Sequence, residues 1–217
     1  MIPFVREHRS TLLMVALVVL QLASPLGDSH PHIGGLIALA GFALLLTGAS
    51  YIARRKILRK LVFPLAGVWF VARLIEAVAP GPHFYNHPAP IAGLFLSLGI
   101  LWAILDRFDS IPMVTGNVIS EAFISYIVLA IAFSQVYWIL NQLLDHAFNE
   151  AIPITDSTLL LYFSMISLST VGYGKIVPVN PFVRMVAAME AMIGVFFIAV
   201  VVARLVSSYR PKPPVHS

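Results

Sequence analysis

The sequence predicts an all-α membrane protein with six transmembrane helices and one shorter apolar segment that re-enters the bilayer before the last helix. Three observations carry this reading. Of the 217 residues, 59% are hydrophobic and only 11% charged, whereas a soluble domain carries about 25% charged residues. The apolar residues gather into runs near 11–26, 33–53, 58–79, 89–106, 119–144 and 181–206, the lengths from which bilayer-crossing helices are built. One further apolar stretch, from Asp156 to Ser169, is too short to span and reads as re-entrant.

The first run follows a basic lead, MIPFVREHRS, which gives it the look of a signal peptide. No A-x-A-like cleavage site follows, and Pro25 and Gly27 read as a helix end, so it is taken as an uncleaved first helix. The loops then orient the chain. Arg6 and Arg9 precede the first run, Arg54, Arg55, Lys56, Arg59 and Lys60 separate the second from the third, and Arg107 follows the fourth. Arg204, Arg210 and Lys212 close the sixth, while the alternate loops SPLGDSHPH, PGPHFYNHP and DHAFNEAIPIT contain no lysine or arginine. Basic residues stay on the cytoplasmic side, which puts both termini there. The formal net charge of +4 belongs to these loops and forms no patch suited to nucleic acid; with no cysteine, disulfides and thiol chemistry are excluded. The connection RFDSIPMVTGN, with Pro112 and Gly116, divides an N-terminal unit of four helices (1–110) from a C-terminal unit (111–217).

The chemistry concentrates in ITDSTLLLYFSMISLSTVGYGKIVPVNP. Thr155 or Asp156 can cap a short helix that runs out near Ser169, and the chain then enters Thr170-Val171-Gly172-Tyr173-Gly174. Non-helical backbone at membrane depth persists only where it is buried in protein or lines a water-filled path. Gly172 and Gly174 accept φ values closed to other residues. Alternating permissive and ordinary residues lets successive carbonyls face one axis, where they replace the water shell of a dehydrated cation.

Residues 119–206 resemble the pore module of the potassium channel family, with outer helix 119–144, pore helix 156–169, filter 170–174 and inner helix 181–206. The run RMVAAMEAMIG is similar to inner helices of prokaryotic two-helix-type ion channel modules. The resemblance implies that the Thr170 hydroxyl and the filter carbonyls line sites for potassium, the conducted ion, and that Gly194 stands where inner helices often carry a hinge glycine. A filter is a ring of four such loops, so one loop per chain implies a homotetramer in membrane lipid. The pore helices would aim their carbonyl ends at the central cavity. The resemblance implies a channel and no enzyme, with no organic cofactor.

The chain departs from the family pattern at several positions. Lys175 stands where aspartate is usual, either repelling cations at the outer mouth or snorkelling aside. Ile166 replaces a frequent glutamate behind the filter, and Tyr162 and Phe163 replace tryptophans. These departures predict a filter less firmly held, one that inactivates. Glu190, the acid well inside the sixth helix, is read as a brace to a pore-helix hydroxyl such as Ser164 or Ser167, in preference to a direct ion-site role. Beyond Gly194, VFFIAVVVA offers a hydrophobic constriction.

The fourth run, APIAGLFLSLGILWAIL, has no arginine, and Arg73 and Glu76 in the third read as an internal pair. Steep voltage gating is therefore not expected. The tail SSYRPKPPVHS is too short for a ligand-binding domain. The loop ARRKILRK either touches anionic lipid or only sets topology. His30, His32, His83, His87 and His146 have no complete metal-ligand spacing and read as solvated. The expectation is a potassium-selective channel in a cell membrane, of prokaryotic inner-membrane type, with a weakly selective cation channel as the alternative. A transporter subunit would commonly carry four pore segments, and a membrane enzyme using the outer histidines as a metal site would need H-E-x-x-H or an intramembrane acid–histidine cluster.

Overall fold

The computed structural model describes residues 9–29, 40, 64, 66–69, 71, 88–108, 116–152 and 157–207. Among these the regular elements are five helices: α1 Arg9–Ser29, α2 Pro88–Phe108, α3 Gly116–Leu143, α4 Ser157–Leu168 and α5 Pro181–Ser207. The expected spans 33–53 and 58–79 lie outside the described residues apart from isolated positions, as do the basic loop between them, Arg73, Glu76, Pro112, Thr155, Asp156, and His30, His32, His83 and His87.

Each described helix falls where an apolar run predicts it, with ends displaced by a few residues. The outer helix begins at Gly116 instead of 119, so this glycine opens the helix; Ser120 Oγ donates back to the Gly116 carbonyl at 3.0 Å. α5 starts on a clear signal. Asn180 is its N-cap, with Oδ1 accepting from the Phe182 amide at 2.9 Å while the Asn180 carbonyl takes the first helical bond from Arg184 at 3.0 Å. Pro181 follows at the first helical position, where its fixed φ suits the helix and its missing N–H costs nothing. Arg204 in the last turn complements the negative end of the helix. Two helices, Gly116–Leu143 and Pro181–Arg204, are long and apolar enough to cross a membrane; 24 residues at 1.5 Å rise make about 36 Å, against a hydrocarbon core of about 30 Å.

α3 is the common support. Its first half packs against α1 and α2 through a cluster that includes Leu17, Leu96, Ile100, Ile124 and Val128. Trp69 joins this cluster against Gly93, where an added Cβ would lie 3.1 Å from the indole nitrogen. The second half of α3 carries Tyr137, which forms a buried three-ring cluster with Phe148 and Phe163. The ring centroids lie 4.9 Å (Tyr137–Phe163), 5.2 Å (Phe148–Phe163) and 6.1 Å (Tyr137–Phe148) apart, each pair edge-to-face, the favoured aromatic geometry. These rings seat the short α4 between α3 and the chain that follows α3. By contrast α5 presents Phe182, Met185, Met192 and Phe196 to the outside of the single chain.

Candidate ion-conduction site

The last four carbonyls of a helix have no partner within it. In α4 all four are satisfied. Met165 O accepts from the Ser169 amide (3.1 Å) and Ser169 Oγ (2.7 Å), and Ser167 O from the Thr170 amide (2.9 Å). Ile166 O accepts from the amides of Val171 (2.9 Å) and Gly172 (3.2 Å), and Leu168 O from the hydroxyl of Tyr126 on α3 (2.9 Å). The paired bonds from Val171 to Ile166 and from Thr170 to Ser167 make a Schellman ending, whose left-handed position is normally glycine. Here that position is Thr170, with φ 59°. A β-branched residue in this region is strained by about 1–3 kcal/mol.

The left-handed conformation then recurs at every second residue: Thr170 at 59°, Gly172 at 53° and Gly174 at 80°, with Val171 and Tyr173 between them on the ordinary side. All five residues are exposed in the single chain, Tyr173 to 74% and Val171 to 53%. An exposed, extended pentapeptide of this kind needs other protein around it if it lies at membrane depth.

Beyond Gly174 the chain is clasped from outside. The amides of Asn149 and Val179 donate to the carbonyls of Val177 (2.8 Å) and Ala147 (3.0 Å), forming the isolated bridge Phe148–Pro178. The side chain of Asn149 completes the clasp, its Nδ2 donating to the Lys175 carbonyl (3.1 Å) and its Oδ1 accepting from the Val177 amide (2.7 Å). Lys175 is thus anchored by its backbone while its side chain is exposed. Asn149 went unnoticed in the sequence, because nothing local marks a contact to residues 26 and 28 positions away.

Behind the pentapeptide, Glu190 is fully buried beside Ser164 and Tyr137, which are also at 0% exposure. Its Oε1 lies 2.5 Å from Ser164 Oγ, and its Oε2 accepts from the Tyr137 hydroxyl at 2.6 Å. Of the two hydroxyls expected from the sequence, Ser164 is the partner; Tyr137 is an addition. The carboxyl thereby joins α3, α4 and α5 at one point. Ile166, where a glutamate is frequent, is buried and apolar, and of the neighbouring pair Phe163 enters the core while Tyr162 is exposed.

Gly194 is buried against the end of α4, and an added Cβ would sit 2.0 Å from the Leu168 carbonyl oxygen. α5 runs through it without interruption. A second buried acid, Glu121, accepts from Ser10 Oγ at 3.0 Å, and Thr11 and Ser120 hydroxyls meet beside it at 3.1 Å. This polar stitch between α1 and α3 was also missed, since Glu121 sits among polar residues at a helix start. Among the described residues no three His, Cys, Asp or Glu side chains are grouped to hold a metal. His146, the outer-loop histidine within them, occupies a left-handed turn with φ 52°.

Residues 122–210 match a family model described as "Ion channel". Among curated proteins, the chain is 41% identical over 49 residues to the potassium voltage-gated channel protein shk-1 of Caenorhabditis elegans, covering 23% of this chain and 9% of that one. It is 30% identical over 92 residues to the two-pore potassium channel 3 of Arabidopsis thaliana, covering 42% of this chain and 20% of that one. The chain therefore spans a fifth or less of the length of these relatives. No solved structure matches.

Proposed function

We propose that the chain, which matches an ion channel family model through residues 122–210 and is similar there to potassium channels, is one subunit of a homotetrameric, potassium-selective pore in a cell membrane. The observation that carries the reading is the alternation of backbone hand at Thr170, Gly172 and Gly174, directly after a short helix whose terminal carbonyls are all occupied. Where left- and right-handed residues alternate, successive peptide planes turn the same way, so their carbonyls can address one axis. Four such loops would ring that axis with oxygens that stand in for the hydration shell of potassium. In this reading the Thr170 hydroxyl and the carbonyls of Thr170, Val171, Gly172 and Tyr173 coordinate the conducted ion, and Gly174 completes the turn. The exposed pentapeptide and the apolar outer faces of α5 supply the surface for the other three copies.

The pore unit is residues 111–217, with α3 as outer helix, α4 as pore helix and α5 as inner helix. Residues 1–110 form an N-terminal four-helix unit that packs on α3, for six spans in all and both termini cytoplasmic. The inner membrane of a prokaryote suits its short loops. One relative is named as voltage-gated, but α2, the fourth of these spans, carries a single basic residue, Arg107, near its end. Steep voltage dependence needs several arginines along one helix, so it is not proposed here.

Exposed Lys175 beside the outer mouth, and Ile166 in place of an acid, favour one second reading: a weakly selective cation channel. Flux into proteoliposomes of the purified protein separates the two. Potassium uptake well above sodium uptake, abolished by Gly172→Asp at its left-handed φ, supports the selective pore. Equal uptake of both ions supports the weakly selective one, and no uptake by an assembled tetramer under any stimulus overturns both.

A further inference from the structure

The brace around Glu190 has more contacts than its two hydroxyls have protons. Ser164 Oγ stands 2.5 Å from Glu190 Oε1 and 2.8 Å from the carbonyl oxygen of Ala130 on α3. Both are full hydrogen-bond distances. Tyr137 brings its phenolic proton to Oε2 at 2.6 Å. Three oxygen–oxygen contacts are therefore closed, yet Ser164 and Tyr137 bring one proton each. Ala130 O has no proton to give. If the carboxyl were a carboxylate, the Ser164 proton would go to it, and an Oγ lone pair would face the Ala130 carbonyl at 2.8 Å inside a fully buried site. Among the described residues the groups that act on the carboxyl are Ser164, Tyr137 and, further off, Tyr126, and none of them is a cation that would favour a charge.

We propose that Glu190 is a proton-binding site, holding a carboxylic acid proton that it donates to Ser164 Oγ. The acid completes a directed chain from the inner helix through the pore helix to the outer helix: Glu190 Oε1–H to Ser164 Oγ, Ser164 Oγ–H to Ala130 O, with Tyr137 O–H closing on Oε2. Every buried oxygen then has a partner, which is the condition under which a buried polar network rigidifies what it joins. Glu190 acts here as a positioning residue. Ser164 is one helical turn before Leu168, so the proton fixes the segment of α4 from which Thr170 follows. The inference concerns the same module as the proposed pore, yet it holds or fails independently of which ions pass.

Infrared spectroscopy of the assembled protein in detergent near neutral pH tests it, with no need for conduction. The wild-type spectrum should contain a protonated-carboxyl C=O band that is lost in Glu190→Gln; the other buried acid, Glu121, is common to both and subtracts. Glu190→Gln should also assemble as well as wild type, because its amide N–H donates to Ser164 and its carbonyl accepts from Tyr137. Glu190→Ala, which keeps neither contact, should lose assembly. Should Glu190→Gln fail to assemble, Tyr137→Phe serves instead: it removes the donor to Oε2 and should shift the protonated C=O band upward. Absence of any band sensitive to Glu190→Gln or Tyr137→Phe would mean an ionised carboxylate and overturn the proposal.

Discussion

Replacing Gly194 with alanine distinguishes two accounts of that position, because they differ in sign. A glycine in a helix interior costs about 1 kcal/mol relative to alanine. If Gly194 is present only for flexibility, Gly194→Ala should stabilise the protein by about that amount and stiffen α5. The structure leads to the opposite expectation. The new Cβ would lie 2.0 Å from the Leu168 carbonyl oxygen, 2.9 Å from its carbon and 3.2 Å from its Cδ1. To reach an ordinary contact distance of 3.4 Å, the helices must part by about 1.4 Å along that line. The obstacle is backbone at the end of α4, already bonded to Tyr126, so no side chain can swing aside. Overpacking of this kind costs about 1–3 kcal/mol, occasionally more, which outweighs the propensity gain over most of that range. Leu168 is two residues before Thr170, so the displacement passes straight into the pentapeptide. The assays are thermal dissociation of the proposed tetramer and potassium flux in liposomes, with Gly116→Ala as control because nothing lies within 4 Å of a Cβ there. Loss of stability and flux in Gly194→Ala, with Gly116→Ala close to wild type, is the expected result. A Gly194→Ala tetramer that melts higher and conducts normally would refute the argument and return the residue to a hinge.

Three further substitutions probe the surroundings of the pentapeptide. Asn149→Ala removes two exposed hydrogen bonds to the segment after Gly174, each of about 0.5–1.5 kcal/mol; single-channel openings should shorten and thermal stability should fall modestly, and unaltered openings would show that the backbone bridge suffices. Tyr126→Phe leaves the Leu168 carbonyl without its partner, at a cost of about 1–3 kcal/mol, read as a lower dissociation temperature of the tetramer. Phe163→Ala empties the centre of the three-ring cluster and should cost about 3–5 kcal/mol; a denaturation midpoint unchanged from wild type would mean that α4 is seated by other contacts.

Much of the described structure was legible in the residues. α3 and α5 are long apolar runs, and Asn180-Pro181 announces the start of α5 in two letters. The left-handed φ of Gly172 and Gly174 follows from their place in a loop that must turn without side-chain hindrance. Ser164 was reachable from Glu190 because a buried acid seeks a hydroxyl and few are near. Tyr137 was not, since a tyrosine in an apolar helix gives no sign of which neighbour its hydroxyl will meet. Thr170 runs against propensity: local rules place glycine at the end of a Schellman turn. Glu121 and Asn149 escaped because their partners lie far along the chain, at separations that hydrophobic periodicity does not encode. The role of Lys175 depends on what neighbours it in the proposed assembly, which one chain's pattern does not specify.

The stitch between α1 and α3 sets a timetable for biogenesis. Ser10 meets Glu121 across 111 positions and Thr11 meets Ser120 across 109, whereas the braces within the pore half span 26 to 53. Chains emerge at about 5–20 residues per second, so Ser10 waits on the order of 5–20 s for its partner. During that interval the serine and threonine of the first helix are uncommitted. The pore half closes its own contacts within a much shorter stretch of synthesis. The N-terminal helix is therefore docked onto a partner helix that is synthesised late, after about a hundred residues have intervened.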